Sequence, residues 1–155
     1  KLEKGFNLAL VSEAGTPAIS DPGSQLVAEV VKRKSDVQII PIPGPCAAVA
    51  ALSVSGFCAD SFSFLGFPTA KKKRQKFFKE LSQEEKTIVL YESPHRLEKT
   101  LTDLAEVIDS REMMVIREMT KQFEATYRGQ VNEVIEQIKN DQIKGEFVIV
   151  INRKK

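Results

Sequence analysis

The sequence predicts an α/β fold in two successive parts, and three observations carry that reading. Short apolar runs with strand character alternate along the chain with helical runs of apolar periodicity. Two connections, "SEAGTPAISDPG" (12–23) and "PGPCAA" (43–48), pack glycine and proline between a strand pattern and a helix pattern. A third, "SGFCADS" (55–61), is turn-rich and has no periodicity of its own. Alternation of this kind builds layers of sheet and helix. The third connection sets the boundary, giving a first part at residues 1–58 and a second at 59–155.

The elements follow in order. "FNLALV" (6–11) has the character of a buried strand, and after the first loop "SQLVAEVVKRK" places Leu26, Val27, Val30 and Val31 on one helical face. Asp21 is expected to cap that helix, with Pro22 at its first position. "VQIIPI" (37–42) is a second strand, closed by "PGP", and "CAAVAALSVSG" is a short apolar helix that Gly56 stops. In the second part "SFSFLGF" alternates as a strand, and Pro68 and Thr69 introduce a basic amphipathic helix ending near Ser82. "KTIVLY" is a strand. "SPHRLEKTLTDLAEVI" is a helix with Leu97, Leu101, Leu104 and Ile108 in one stripe. "EMMVIRE" and "FEATYRG" are strands, "VNEVIEQIK" a helix and "GEFVIVI" the last strand. Two strands and two helices are thin for a free-standing sheet, and the chain opens on "KLEKGFN" without a Met. The first part is therefore expected to find its remaining sheet partners in a preceding segment.

Composition narrows the class of function. The chain has 155 residues, 42% of them hydrophobic, with 23 Lys and Arg against 21 Asp and Glu. That balance gives no overall basic signature for nucleic acid, but the run "KKKRQK" (71–76) breaks it locally. Cys46 and Cys58 show neither metal-ligand spacing nor a disulfide framework, so no metal is expected and a reducing, cytoplasmic setting is. No apolar stretch is long enough to span a bilayer.

The two glycine- and proline-rich loops carry the first chemical expectation. Each follows a strand and opens a helix, the place where open α/β sheets bind ligands. Gly15, Gly23 and Gly44 let backbone approach a small molecule closely, and the helix N-termini offer unpaired N–H groups. No Gly-Lys-Ser/Thr follows, so this is not a phosphate-binding P-loop.

Six segments in order, "LVSEAGTPAISDPG", "PIPGPCAAVAAL", "GFPTAKKKRQK", "LYESPHRL", "REMTKQFEATYRG" and "KGEFVIVI", cover essentially the whole chain. Together they resemble the ribosomal RNA small subunit methyltransferase I family of the tetrapyrrole methylase superfamily. The resemblance implies a partial N-terminal cofactor domain, a C-terminal α/β domain with a mixed sheet, and a cofactor in the cleft between the two. It implies an S-adenosylmethionine-dependent enzyme that methylates a cytidine ribose 2′-hydroxyl in small-subunit ribosomal RNA or the 30S subunit, usually as a homodimer and away from any membrane. Glu13 stands where the family often has Asp, and Cys46 where it often has Ser. The family's opening Thr-Pro-Ile-Gly-Asn-like loop has no counterpart here, so the chain is expected to be inactive alone. Carried onto this sequence, the cofactor would contact Ala14, Gly15, Thr16, Pro17, Asp21, Pro43, Gly44, Pro45, Cys46, Ala47 and Tyr91.

Methyl transfer from a sulfonium is an in-line displacement, and a ribose hydroxyl is a weak nucleophile that a base or nearby cation helps. Glu92 and His95 in "YESPHR", and Lys121 and Glu124 in "REMTKQFE", are the catalytic candidates, with Arg117 and Glu118 beside them. Each also has an ordinary structural reading: a helix cap, a packed histidine, an ion pair at a strand end. Lys71, Lys72, Lys73, Arg74, Arg96 and Arg117 are the candidates for RNA contact, since clustered cations neutralise phosphates. A solvated helix face is the simpler meaning of the lysine run. Tyr91 and Tyr127 suit base stacking or plain packing. A small-molecule acceptor on the same fold, and a non-catalytic RNA-binding module, are the alternatives.

Overall fold

The computed structural model describes residues 1–33, 36–69, 73–108 and 110–154. The chain forms two compact units, Lys1–Cys46 and Ala47–Lys155. The division falls earlier than the Cys58 boundary because α2 (Ala47–Ser55) buries Ala48, Ala51 and Leu52 in the second unit, packing on β2 (Thr87–Glu92) and β5 (Phe147–Ile151).

The first unit holds a 3-10 turn at Leu2–Lys4 and helix α1 (Ser24–Lys32). The strands expected at 6–11 and 37–42 are corrected: neither segment pairs into a sheet among the described residues. A strand exists by its ladder of hydrogen bonds, and here the apolar side chains stay open to solvent, Val11 at 83% and Ile42 at 75%. The cap of α1 is also corrected. Gly23 occupies it at φ 142° with no side-chain bond, so Asp21 lies outside the helix.

The second unit is a five-stranded mixed sheet in the order β1-β2-β5-β3-β4, with β1 at Phe62–Gly66, β3 at Glu112–Arg117 and β4 at Ala125–Gln130. β1 and β2 run parallel, and every other neighbouring pair is antiparallel. Three further helices accompany it: α3 (Arg74–Gln83), α4 (Pro94–Ala105) and α5 (Val131–Lys139). Strand alternation sorts the core. Ile88, Leu90, Met113, Val115, Phe147, Ile149 and Ile151 join Phe78, Leu81, Leu97, Leu101, Leu104, Val134 and Ile138 of the helices in one cluster. Val89, Val148, Val150, Met114 and Ile116 alternate onto the opposite face, where α2 packs. With both faces covered, β5 is buried at every position and reads as an unbroken apolar run. The predicted stripe Leu97, Leu101, Leu104 and Ile108 is fully inside. A capping box, Gln130 with Glu133, starts α5 directly at the end of β4.

Candidate functional site

In the first unit the two glycine- and proline-rich loops meet. Thr16 Oγ1 lies 3.0 Å from the Gly44 carbonyl oxygen and 3.2 Å from that of Pro45, so one hydroxyl ties residue 16 to the second loop. The approach favours glycine: a Cβ on Gly44 would stand 3.2 Å from the Gly15 carbonyl oxygen and 3.3 Å from Thr16 Oγ1, tighter than most side-chain carbons pack. The first loop is bent by left-handed backbone at Gly15 (φ 76°), Ala18 (69°) and Ser20 (57°). Two of these are not glycine, a costly conformation that clusters at ligand sites. Leu10, Val11, Ser12, Glu13, Asp21 and Pro22 line an open concavity beside the first loop. Ala14, Gly15, Pro43, Gly44 and Pro45 are exposed and Thr16, Pro17, Asp21 and Cys46 half-buried, so all of these cofactor candidates reach the surface. The site's residue types suit a cofactor bearing a cationic sulfonium: carboxylates at Glu13 and Asp21, and backbone close to the surface at Gly15 and Gly44.

The remaining two cofactor candidates belong to the second unit. Ala47 is the exposed first residue of α2. Tyr91 is half-buried, accepts the Ala48 N–H on its hydroxyl at 3.0 Å, and meets the rings of Phe64 and Phe67 edge-on.

Register gathers the other candidates at one end of the sheet. Glu92 pairs with Phe147, Phe147 with Arg117, and Arg117 with Ala125. The segments "ESPHR" and "REMTKQFE" therefore leave the same end of the sheet, with β5 between their strands. His95 is exposed in the first turn of α4, directly after Pro94. Lys121 Nζ sits between carboxylates, 3.0 Å from Glu118 and 2.9 Å from Glu146. Those contacts raise the lysine's pKa, Glu146 contributing most, and Glu118 is lowered by the Glu146 N–H and then by Lys121. The turn itself is held in left-handed backbone at Glu118 (φ 48°) and Thr120 (φ 63°), and Glu124 accepts the Thr120 N–H at 2.5 Å. Gly145 is required beside it, because at φ 86° a Cβ would fall on the Glu118 carboxyl group.

Several candidates are placed differently from expectation. Glu92 is 2% exposed with both oxygens occupied: Oε2 accepts from Thr100 at 2.6 Å and Oε1 from the Ser93 N–H at 2.8 Å. The carboxylate is thus turned into the protein, toward Thr100 and Ser93, rather than toward the surface. Arg74 is 7% exposed, pairs with Asp103 at 2.5 Å, donates to Thr100 at 2.9 Å and lies over the Phe78 ring, so it does not face RNA. Arg117 is committed to Asp141 at 2.8 Å and to the Gln142 carbonyl oxygen at 2.6 Å. Arg96 reaches Glu92 at 3.4 Å and donates to the Pro68 carbonyl oxygen, while remaining partly exposed. Tyr127 is 7% exposed and donates to Asp141, which removes it from stacking. Lys73 is exposed; Lys71 and Lys72 lie outside the described residues.

Sequence reasoning missed three groups. Arg128 donates to the carbonyl oxygens of Val54 (2.6 Å) and Ser55 (2.7 Å), closing the C-terminus of α2. Arg111, whose pKa burial lowers, donates to the carbonyl oxygens of Asn152, Glu84 and Lys86. Thr100 links Arg74 to Glu92. Their partners are 8 to 74 residues away, and no local spacing announces them. Among the described residues no cluster of His, Cys, Asp or Glu could hold a metal ion, and no helix is long and apolar enough to cross a membrane.

Residues 1–135 match the family model for tetrapyrrole (corrin/porphyrin) methylases. Three curated relatives carry the name ribosomal RNA small subunit methyltransferase I. The Synechocystis protein is 48% identical over 97% of this chain and 54% of its own length, and that of Bacillus subtilis 45% over 97% and 51%. The Thermotoga maritima protein is 42% identical over 99% of the chain and 68% of its own length. The chain thus spans about half the length of the first two. Among solved structures, a cobalt precorrin-4 methyltransferase superposes with a TM-score of 0.62 at 16% identity, over 89% of this chain and 61% of its own. A Thermus thermophilus uroporphyrin-III C-methyltransferase, complexed with S-adenosylhomocysteine, gives 0.56 at 14%, over 88% and 62%. At such identities the likeness is one of fold.

Proposed function

Because the chain belongs to the tetrapyrrole (corrin/porphyrin) methylase family, we propose that it serves S-adenosylmethionine-dependent methyl transfer to the ribose 2′-hydroxyl of a cytidine in small-subunit ribosomal RNA. The observation that carries the cofactor half is the Thr16 tie, which draws the two glycine-bearing loops together beside an open concavity edged by Glu13 and Asp21. The names of the relatives at 42–48% identity support the RNA half.

S-adenosylmethionine supplies an electrophilic methyl group on a sulfonium. This chain's residues would hold that cofactor through Gly15, Thr16, Gly44 and Pro45, with the carboxylates of Glu13 and Asp21 favouring its positive charge. His95 and Lys121 follow β2 and β3 at the same end of the sheet; the imidazole of His95 is the group able to receive the hydroxyl proton, and the Lys121 ammonium, kept protonated by Glu146 and Glu118, the one able to stabilise the oxygen left negative. Glu124 braces the Lys121 turn. Lys73, with Lys71 and Lys72, would meet RNA phosphates. Residues 1–58 then contribute to cofactor binding and 59–155 face the substrate. A homodimer acting on the 30S subunit in the cytoplasm completes the reading.

The test uses the full-length protein. Thr16→Val should weaken S-adenosylmethionine binding by about tenfold, the loss of one positioning hydrogen bond, read by calorimetric titration. Ribose methylation of small-subunit RNA, mapped by mass spectrometry, should disappear in cells lacking the gene and return with it. Unchanged methylation in those cells, or a full-length protein that ignores the cofactor, would overturn the reading.

A further inference from the structure

The starts of α3 and α4 are joined by an unbroken line of polar contacts, buried at Arg74, Thr100 and Glu92. Arg74 Nε pairs with Asp103 Oδ2 at 2.5 Å, and Arg74 Nη2 donates to Thr100 Oγ1 at 2.9 Å. Thr100 in turn donates its hydroxyl proton to Glu92 Oε2 at 2.6 Å. Glu92 Oε1 accepts the Ser93 N–H at 2.8 Å and lies 3.4 Å from Arg96 Nε. Thr100 has a single O–H, and the cation on one side leaves it free to point only at the carboxylate on the other. Every donor therefore has a fixed direction. Arg74 is 7%, Thr100 0% and Glu92 2% exposed, so little water competes with these bonds and an unmade one would be costly.

We propose that Arg74 is a positioning residue for methyl transfer. Through Thr100 and Glu92 it fixes the Ser93–Arg96 turn, and with it His95, at the end of β2. This rests on the functional reading above. A phosphate contact, the role its place in the lysine run suggests, needs an exposed guanidinium. Here the side chain is 8% exposed and divided between an aspartate and a threonine.

Two substitutions in the full-length protein separate the roles. Arg74→Lys keeps the charge but loses the planar fork that serves Asp103 and Thr100 together. Thr100→Val keeps the size and removes the relay hydroxyl. Both should lower kcat by roughly tenfold to a hundredfold, as small misplacements at a reacting centre do, while KM for RNA and its salt dependence stay unchanged. The double variant should be no worse than the worse single one, and Thr100→Ser should behave as the natural protein. Amide exchange at Ser93–Leu97 should quicken in both single variants while β5 keeps its protection, which separates a local change from unfolding. Wild-type kcat and exchange in Thr100→Val would overturn the proposal. So would Arg74→Lys retaining full activity while Arg74→Gln raises KM for RNA and lowers its salt slope, the signature of a phosphate ligand. A wild-type protein that transfers no methyl group to ribosomal RNA would overturn the functional reading instead, and unaltered exchange at Ser93–Leu97 would overturn the positioning role by itself.

Discussion

Tyr127 and Asp141 form the sharpest titrating pair among the described residues. The Asp141 carboxylate is lowered from 3.8 to about 2, first by the Tyr127 hydroxyl, then by the Gln142 N–H and Arg117. Tyr127 is raised from 10.0 to about 12, first by burial and then by that same hydrogen bond. Asp141 loses its proton more readily folded than unfolded. Its contribution to stability is therefore complete above about pH 4 and is lost as pH falls toward 2. Tyr127 holds its proton more tightly folded, so its contribution is complete below about pH 10 and is lost as pH rises toward 12. Tyr127→Phe should flatten both limbs, with Asp141 returning toward an ordinary carboxylate value, followed by circular dichroism across pH and by carboxyl NMR titration. Nothing in the sequence marks these two residues as a pair: fourteen positions and the whole of α5 separate them. Gly15 and Gly44 are legible because the loops around them are dense in turn residues. Glu92 and Arg74 draw notice for their charge, and that charge is turned inward.

At the scale of elements, α2 is the most dependent on distant help. It is short, and its apolar character runs all round, so packing rather than propensity holds it. Tyr91 satisfies an N–H in its first turn, and Arg128 satisfies carbonyls at its last. Arg128→Ala should cost about 1 kcal/mol, the ordinary net worth of a lost hydrogen bond, because the Val54 and Ser55 carbonyls lose their donor at a partly exposed helix end, and urea unfolding would measure it. Amide exchange should place the first loosening at α2. The helices and strands of the second unit are legible because each presents a full apolar stripe or alternation to a core that exists in the same chain. The strands expected at 6–11 and 37–42 fail for the complementary reason. Apolar runs such as "FNLALV" state a preference for extended backbone, but a ladder needs a neighbour, and Phe6, Val11, Ile40 and Ile42 remain exposed.

For the whole molecule, net charge says little about partners, since +2 spread over 155 residues is close to neutral. Placement matters more. Replacing Lys71, Lys72 and Lys73 together by glutamine in the full-length protein should weaken RNA binding. It should also reduce the slope of log affinity against log salt by about 0.7 for each phosphate no longer neutralised. Unchanged slope would remove the lysine run from the RNA face. Arg74 is left out of that set because it is buried. The sheet carries a further consequence, through its strand order. β5 follows the other four strands in sequence yet stands between β2 and β3, which do not pair with each other. On a ribosome, β1-β2 and β3-β4 emerge first as two separate ribbons, each short of the three strands that independent stability needs. Only when Phe147–Ile151 clears the exit tunnel do they become one sheet. The nascent chain must therefore hold two unfinished apolar edges apart until that strand arrives, a delay that exposes it to chaperones and to mispairing.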